Sequence, residues 1–458
     1  MAIFGYDDST TFGLRLNSVV SPAQPIQSIE HLFGRSTELE RIRQALFAPG
    51  RHSFIYGDRG VGKSSLAATA ANLYQSADAA FIDVSGGPDA TLRSIVCNIA
   101  IQATKSSRLT KKKTTTSLGA EWRFFKVGKT VETSSVDLRS EIETLADAVE
   151  LLREVAAIHS DLPVVVLDEF DRIQSAEERA LFGDLLKQLG DKKVPLKFIF
   201  TGVGDSIEEL LGAHPSAIRQ LDTLELPKLS WDARWDIPRK VAETFGLTLD
   251  REIYIRIAAV SDGYPYYAHL ITEKMLWDVF NDSQVIHAIE QRHYLGGLHS
   301  AIAGISAELQ RPYMMALNQR SGDYEEILWS TADSEYLDRY LPQMFSSYEH
   351  IMRQRPQEEA IDYKKYTTRI RKLKAPSCGA ILVSHPTKPG LYTYREKMLR
   401  GYVRMQAEAH GIELAGEKIP QSEKPTMHVR SSAGRGYYGP SVPAGIHLGR
   451  QRRKVSGD

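Results

Sequence analysis

An α/β fold with a mostly parallel sheet is predicted by three features of this sequence. Short apolar runs alternate with helical patterns from Phe33 to about Gly246, a glycine-rich loop follows the first run, and two carboxylates close the third. The runs are His52–Tyr56, Ala79–Val84, Pro163–Leu167 and Leu196–Phe200. Each is short and almost continuously apolar, the pattern of a strand covered on both faces. Helical patterns lie between them, for example Leu66–Tyr74 and Ser140–Ile158.

Length and charge bound what surrounds this unit. At 458 residues the chain exceeds what one core usually organises, so two or three domains are expected. Lys+Arg and Asp+Glu both total 57, so any nucleic-acid contact must come from a local patch rather than a global field. With only Cys97 and Cys378, a disulfide framework and a Cys-type zinc site are excluded, which fits a reducing compartment. Asp7 and Asp8 stand where a secretory signal would be basic, and no apolar run approaches a membrane span. A cytoplasmic protein without a membrane partner is the expectation.

Residues 1–30 read as a polar, turn-rich arm, and residues 31–246 as the α/β domain. Residues 104–136 interrupt it with Lys111-Lys112-Lys113 and the stretch Trp122–Val131, an inserted β-hairpin of basic and aromatic character. Contact with nucleic acid or a neighbouring subunit fits that character, and so does a plain solvated insertion. Helical patterns fill 247–308, and helices followed by a short hairpin fill 309–410. From 411 to 458 the Gly, Pro and Ser content and the run Arg450–Lys454 predict a disordered basic tail.

The chemistry centres on Gly57-Asp58-Arg59-Gly60-Val61-Gly62-Lys63-Ser64, placed between a strand and the helix opening at Ser65. It matches the phosphate-binding P-loop in its required setting. Glycines let the backbone close on a phosphate, and its N–H groups join the positive end of the helix. Lys63 reaches the outer phosphates, and Ser64 ligates Mg²⁺. In Val164-Val165-Val166-Leu167-Asp168-Glu169 the two carboxylates end a buried strand at the edge where open α/β sheets bind ligands. Asp168 holds the metal through water, and Glu169 is the general base toward the attacking water. The reading is a P-loop NTPase that takes ATP and Mg²⁺. A guanine-reading N-K-x-D or T-K-x-D segment does not follow the acidic strand, so GTP is disfavoured.

Phe33-Gly34-Arg35, the helix of Leu39, Ile42 and Leu46, the P-loop and Asp168-Glu169 together resemble the origin-recognition-like AAA+/STAND class of ATPases. The resemblance implies that Phe33, Gly34 and Arg35 help hold the adenine. Read locally, Ser36 or Thr37 with Glu40 is a capping box and Phe33 a staple. The resemblance further implies that Thr201 senses the γ-phosphate or water, and that Arg219 is an arginine finger reaching a neighbouring subunit. Gly263-Tyr264-Pro265 resembles the G-x-P module of STAND ATPases, where a helical lid meets the nucleotide and Pro265 packs near it. Tyrosines and His269 stand where the origin-recognition subclass usually has a lid arginine, which puts coupling of the lid to hydrolysis in question.

The same resemblance implies a winged helix within 324–408, from three helices (Tyr324–Ala332, Leu337–Met352, Asp362–Lys374) and the strands Gly379–Ser384 and Gly390–Arg395. Lys364, Lys365, Arg369, Arg371 and Lys372 crowd the third helix, the element that enters the major groove in such domains. Duplex DNA is one expected partner, and a packing or protein-interaction role is the other. Self-association or an operon partner protein is expected in either case. Two functions stay open: a DNA-associated ATPase, and a signalling or defence switch that senses a protein or other ligand.

Overall fold

The computed structural model describes residues 3, 5–22, 24–76, 79–106, 124, 135–204, 219–319 and 324–414. The hairpin expected at 104–136 and the tail expected at 411–458 fall almost wholly outside them. All described residues belong to one compact unit, Met1–Ile419.

The α/β prediction is met by a five-stranded, all-parallel sheet of β1 (His52–Tyr56), β2 (Ile82–Ser85), β3 (Val164–Asp168), β4 (Lys197–Gly202) and β5 (Leu221–Glu225). Its order is β2-β3-β4-β1-β5, so β1 and β3, the strands that end in the two motifs, flank β4. Both faces are covered, as the apolar runs required. Val164 and Val166 enter one core with Ile55, Ile199 and Leu224, while Val165 and Leu167 enter the other with Phe54, Phe198 and Phe200.

Several boundaries differ from the sequence reading. Helix Ser140–Ile158 is two helices, Ser135–Glu141 and Leu145–His159, because Thr144 and Asp147 form a reciprocal capping box at the second start. The proposed box at Ser36 and Glu40 does not form: the N-cap of the Ser36–Phe47 helix is Arg35, without a side-chain cap, and Glu40 pairs with Arg43. The arm is also more ordered than its polarity suggested. Asp8 caps a helix, Ser9–Val19, whose buried Phe12, Leu16 and Val19 recur at helical spacing. Phe12 stacks on Phe280 with centroids 4.4 Å apart.

After the sheet come helices Trp231–Thr244, Arg251–Val260, Pro265–Phe280, Gln291–Gly304 and Ala307–Leu317. Two short parallel strands, β6 (Thr248–Leu249) and β7 (Ala288–Ile289), tie them together. The last part contains helices Glu325–Ala332, Leu341–Gln354 and Tyr363–Lys372, then Leu399–Ala409. Strands β8 (Arg339–Tyr340), β9 (Leu382–Ser384) and β10 (Leu391–Tyr394) form an antiparallel sheet in the order β8-β10-β9. Tyr366 does not join the basic face of its helix. It is buried, and its hydroxyl meets Ser330 Oγ at 2.7 Å.

A buried charge cluster ties the last helix to the turn between helices Arg251–Val260 and Pro265–Phe280. Asp262 accepts from Arg400 at 2.8 and 2.5 Å and from Lys228 at 2.9 Å, with Arg404 at 3.4 Å. Burial opposes ionisation of Asp262, but the Arg404 and Arg400 guanidinium groups outweigh it and hold the carboxyl well below its ordinary range. Among the described residues no helix is long and apolar enough to cross a membrane.

Candidate functional site

The carboxyl ends of β1, β3 and β4 open onto a cavity of about 920 Å³ lined by Gly60, Gly62, Lys63, Ser64, Ser65, Asp168, Glu169 and Thr201. Parallel pairing brings these segments to one edge although they are far apart in the chain.

Gly62 caps the Lys63–Tyr74 helix in the left-handed region, at φ 96°, so the helix opens on Lys63 with its N–H groups toward the cavity. Lys63 is largely buried, and its Nζ donates to the loop's own carbonyls, Gly57 O at 3.0 Å and Asp58 O at 2.7 Å. Burial lowers its pKa, partly offset by Asp171, Asp168 and Asp58. An ammonium held by carbonyls beside an anion-binding helix end is ready to exchange them for phosphate oxygens.

Asp168 Oδ1 is the hub of the acidic side. Ser64 Oγ donates to it at 3.0 Å, Thr201 Oγ1 donates to the same oxygen, and Glu169 N donates at 3.1 Å. Magnesium takes one or two carboxylates together with substrate phosphates and keeps several waters. Ser64 Oγ and Asp168 Oδ1 fit that pattern, being adjacent hard oxygens within reach of the phosphate loop. Glu169 sits at φ 54°, an uncommon conformation for a side-chain-bearing residue, and its carboxylate pairs with Arg172 at 2.7 Å.

The other predicted residues have distinct places. Phe33, Gly34 and Arg35 are not among the residues that line the cavity; they brace it from behind. Arg35 is buried and donates to Val61 O at 3.1 Å and to Pro227 O at 2.6 Å, joining the P-loop to the segment after β5. Gly34, at φ 65°, presses so closely on Ala233 that a Cβ would collide with it. Pro265 lines the cavity at the first turn of its helix, and a Cβ on Gly62 would meet its Cγ at 3.6 Å. Val61 is buried, and Arg59 reaches Glu308 at 3.2 Å. Arg219 is exposed in the turn before β5, at the end of the sheet opposite the cavity, so within one chain it stands away from these residues.

Sequence reasoning missed two contributors. The extended segment before Phe33 lies along the P-loop helix: Ile26 N donates to Ser65 Oγ at 3.0 Å, and Thr69 Oγ1 donates to Ile26 O at 3.0 Å. The linker after β10 reaches back to the loop, with Lys397 Nζ at 2.6 Å from Asp58 Oδ1 and Met398 lying over Gly60 so closely that a Cβ there would strike its sulfur. No local pattern signals a contact between residues 339 positions apart.

Residues 31–199 match the family model described as AAA ATPase domain. That match takes in the P-loop and the Asp168-Glu169 strand end, and the chain is an ATP-binding, ATP-hydrolysing P-loop protein. No curated protein matches the chain. Among solved structures, the chain is similar to the Walker-type ATPase PABY2304 of Pyrococcus abyssi, at 15% identity over 83% of this chain and 99% of that one, with a TM-score of 0.48. Cdc6p from Pyrobaculum aerophilum is 15% identical over 86% and 98%, with a TM-score of 0.42. The Aeropyrum pernix ORC1 protein, solved in complex with DNA, is 14% identical over 82% and 93%, with a TM-score of 0.39.

Proposed function

We propose that the chain is a Mg²⁺-dependent nucleotide switch whose ATP state is passed to a DNA-binding C-terminal module resembling a winged helix. One observation carries the reading. The Lys397–Met398 linker touches the P-loop, and it leaves β10 of the small β8-β10-β9 sheet, whose strands β9 and β10 follow the basic helix Tyr363–Lys372. A loop that rearranges around phosphate therefore acts directly on the segment that carries that helix. In this reading Lys63 and Gly57–Ser65 grip the triphosphate, Ser64 and Asp168 hold the metal, Glu169 activates water and Thr201 orients it.

Lys364, Lys365, Arg371 and Lys372 are exposed on the helix and supply the phosphate contacts, while Arg369 leans over the Tyr324 ring at 5.3 Å. Arg219 would act in trans, on the γ-phosphate of a neighbouring copy, which makes the ATP state an assembling one. Duplex binding measured across salt, with ATP and with ADP, tests this. Affinity that falls with salt, differs between the nucleotides and drops in a K364A/K365A/R371A variant supports it. Binding unchanged by the triple substitution counts against the helix.

A second reading is a switch that senses a protein or other ligand without DNA. It is supported by the lid, which presents Pro265, Tyr266 and the buried His269 to the cavity instead of an arginine.

A further inference from the structure

Resting on the reading that the cavity takes ATP, we infer that His269 hydrogen-bonds the edge of the purine and sets the preference among bases. The helix that opens at Pro265 starts over the phosphate loop, where Pro265 approaches Gly62. Four residues on, His269 lies on the same face one turn away from that loop, roughly 6 Å further along the axis. That displacement leads away from Lys63, Ser64 and Asp168, which claim the phosphates and metal, toward the end where a base must lie.

The apolar part of the cavity wall suits a flat heterocycle, since Ile26, Pro25, Tyr266 and Leu309 line it. His269 lines it as well, is 3% exposed, and its Nδ1 has no hydrogen-bond partner among the described residues. Phe33 backs the ring, with centroids 6.5 Å apart. Burial, with a smaller push from His31, lowers the imidazole pKa to about 4, so the ring is neutral near pH 7. A neutral imidazole keeps one bare ring nitrogen, which can accept a hydrogen bond from the 6-amino group of adenine. An unpaired buried polar atom beside an open cavity gains most from a ligand that pairs with it.

The test compares ATP with purine riboside triphosphate, which lacks the 6-amino group, by calorimetry on the full chain. Wild type should prefer ATP by about tenfold or more. His269→Phe should bind both alike, at the analogue's affinity, and His269→Gln, which keeps a donor and an acceptor, should retain part of the preference. Equal binding of the two ligands by wild type overturns the inference without any variant, as does an unchanged preference in His269→Phe. Binding of neither ligand by wild type is a different failure, because it removes the nucleotide site itself.

Discussion

The Glu169 carboxylate is paired with the Arg172 guanidinium at 2.7 Å, and both residues line the cavity together with Asp168. Both side chains are about half exposed, so the pair adds little to stability. It does engage the base candidate in an ion pair. Arg172→Ala should leave the unfolding midpoint in place and raise single-turnover ATP hydrolysis a few-fold. Glu169→Gln should lower hydrolysis by about 10²-fold or more while nucleotide binding persists. Equal single-turnover rates for Glu169→Gln and wild type would remove Glu169 as the base.

Lys397 and Asp58 give a second, separable effect. Lys397 is 39% exposed, so Lys397→Ala should change stability by no more than about 0.5 kcal/mol. The contact nonetheless braces the loop whose Asp58 carbonyl holds Lys63. Release of a fluorescent ADP should therefore speed up several-fold in Lys397→Ala, and the difference from wild type should shrink in high salt. An unchanged release rate would mean that the linker merely rests on the loop.

Stability should depend on pH through two buried histidines. Burial, helped by Lys197, lowers the His52 pKa to about 3, and burial, helped by His31, lowers that of His269 to about 4. Both ordinarily titrate near 6.5, so as pH falls below that value the unfolded chain gains protons that the folded chain refuses. Stability is full above about pH 6.5 and declines as pH falls, by up to roughly 1.4 kcal/mol per pH unit for each ring, down to about pH 4 for His269 and about pH 3 for His52. The Asp262 contribution begins to be lost only as pH falls through the ordinary carboxylate range, well below the pH at which the histidine effect sets in. Urea midpoints at pH 7 and pH 5 check this, and a His52→Gln variant should show about half the wild-type slope.

These side chains mark where the sequence stops being informative. The strands, the P-loop and the Asp168-Glu169 ending were legible because each depends on local rules: period, glycine tolerance, and the edge at which a parallel sheet opens. Thr201 was reached only through the family resemblance, because the pairing of β4 between the two motif strands leaves no mark in the local sequence. Met398 over Gly60 and Ile26 along Ser65 depend on long-range packing, which leaves no periodic trace. Phe12 had a trace, in its helical spacing with Leu16 and Val19, but the surrounding Ser, Thr and Asn residues masked it. Arg35 shows the opposite limit. The residue was singled out, yet its guanidinium serves main-chain carbonyls behind the cavity.

Asp262 is the most consequential single position for joining helix Leu399–Ala409 to the helices that follow the parallel sheet. Arg400 is 1% exposed and Arg404 3%, and both point at this one carboxylate. Their remaining donors are met by carbonyls: Tyr336 O and Glu335 O for Arg400, and Ala332 O, Ala259 O and Ser334 O for Arg404. Asp262→Asn keeps the shape but leaves two guanidinium groups and Lys228 facing one another without a counter-charge. Breaking one partner of such a buried set costs about 3–5 kcal/mol. Arg400→Lys should cost less, because it keeps the charge and loses the fork that grips both carboxylate oxygens. The urea midpoint should fall in that order, with little change in slope if the unfolding stays two-state. A loss below about 1 kcal/mol in Asp262→Asn would mean that the carbonyls alone suffice to hold both arginines.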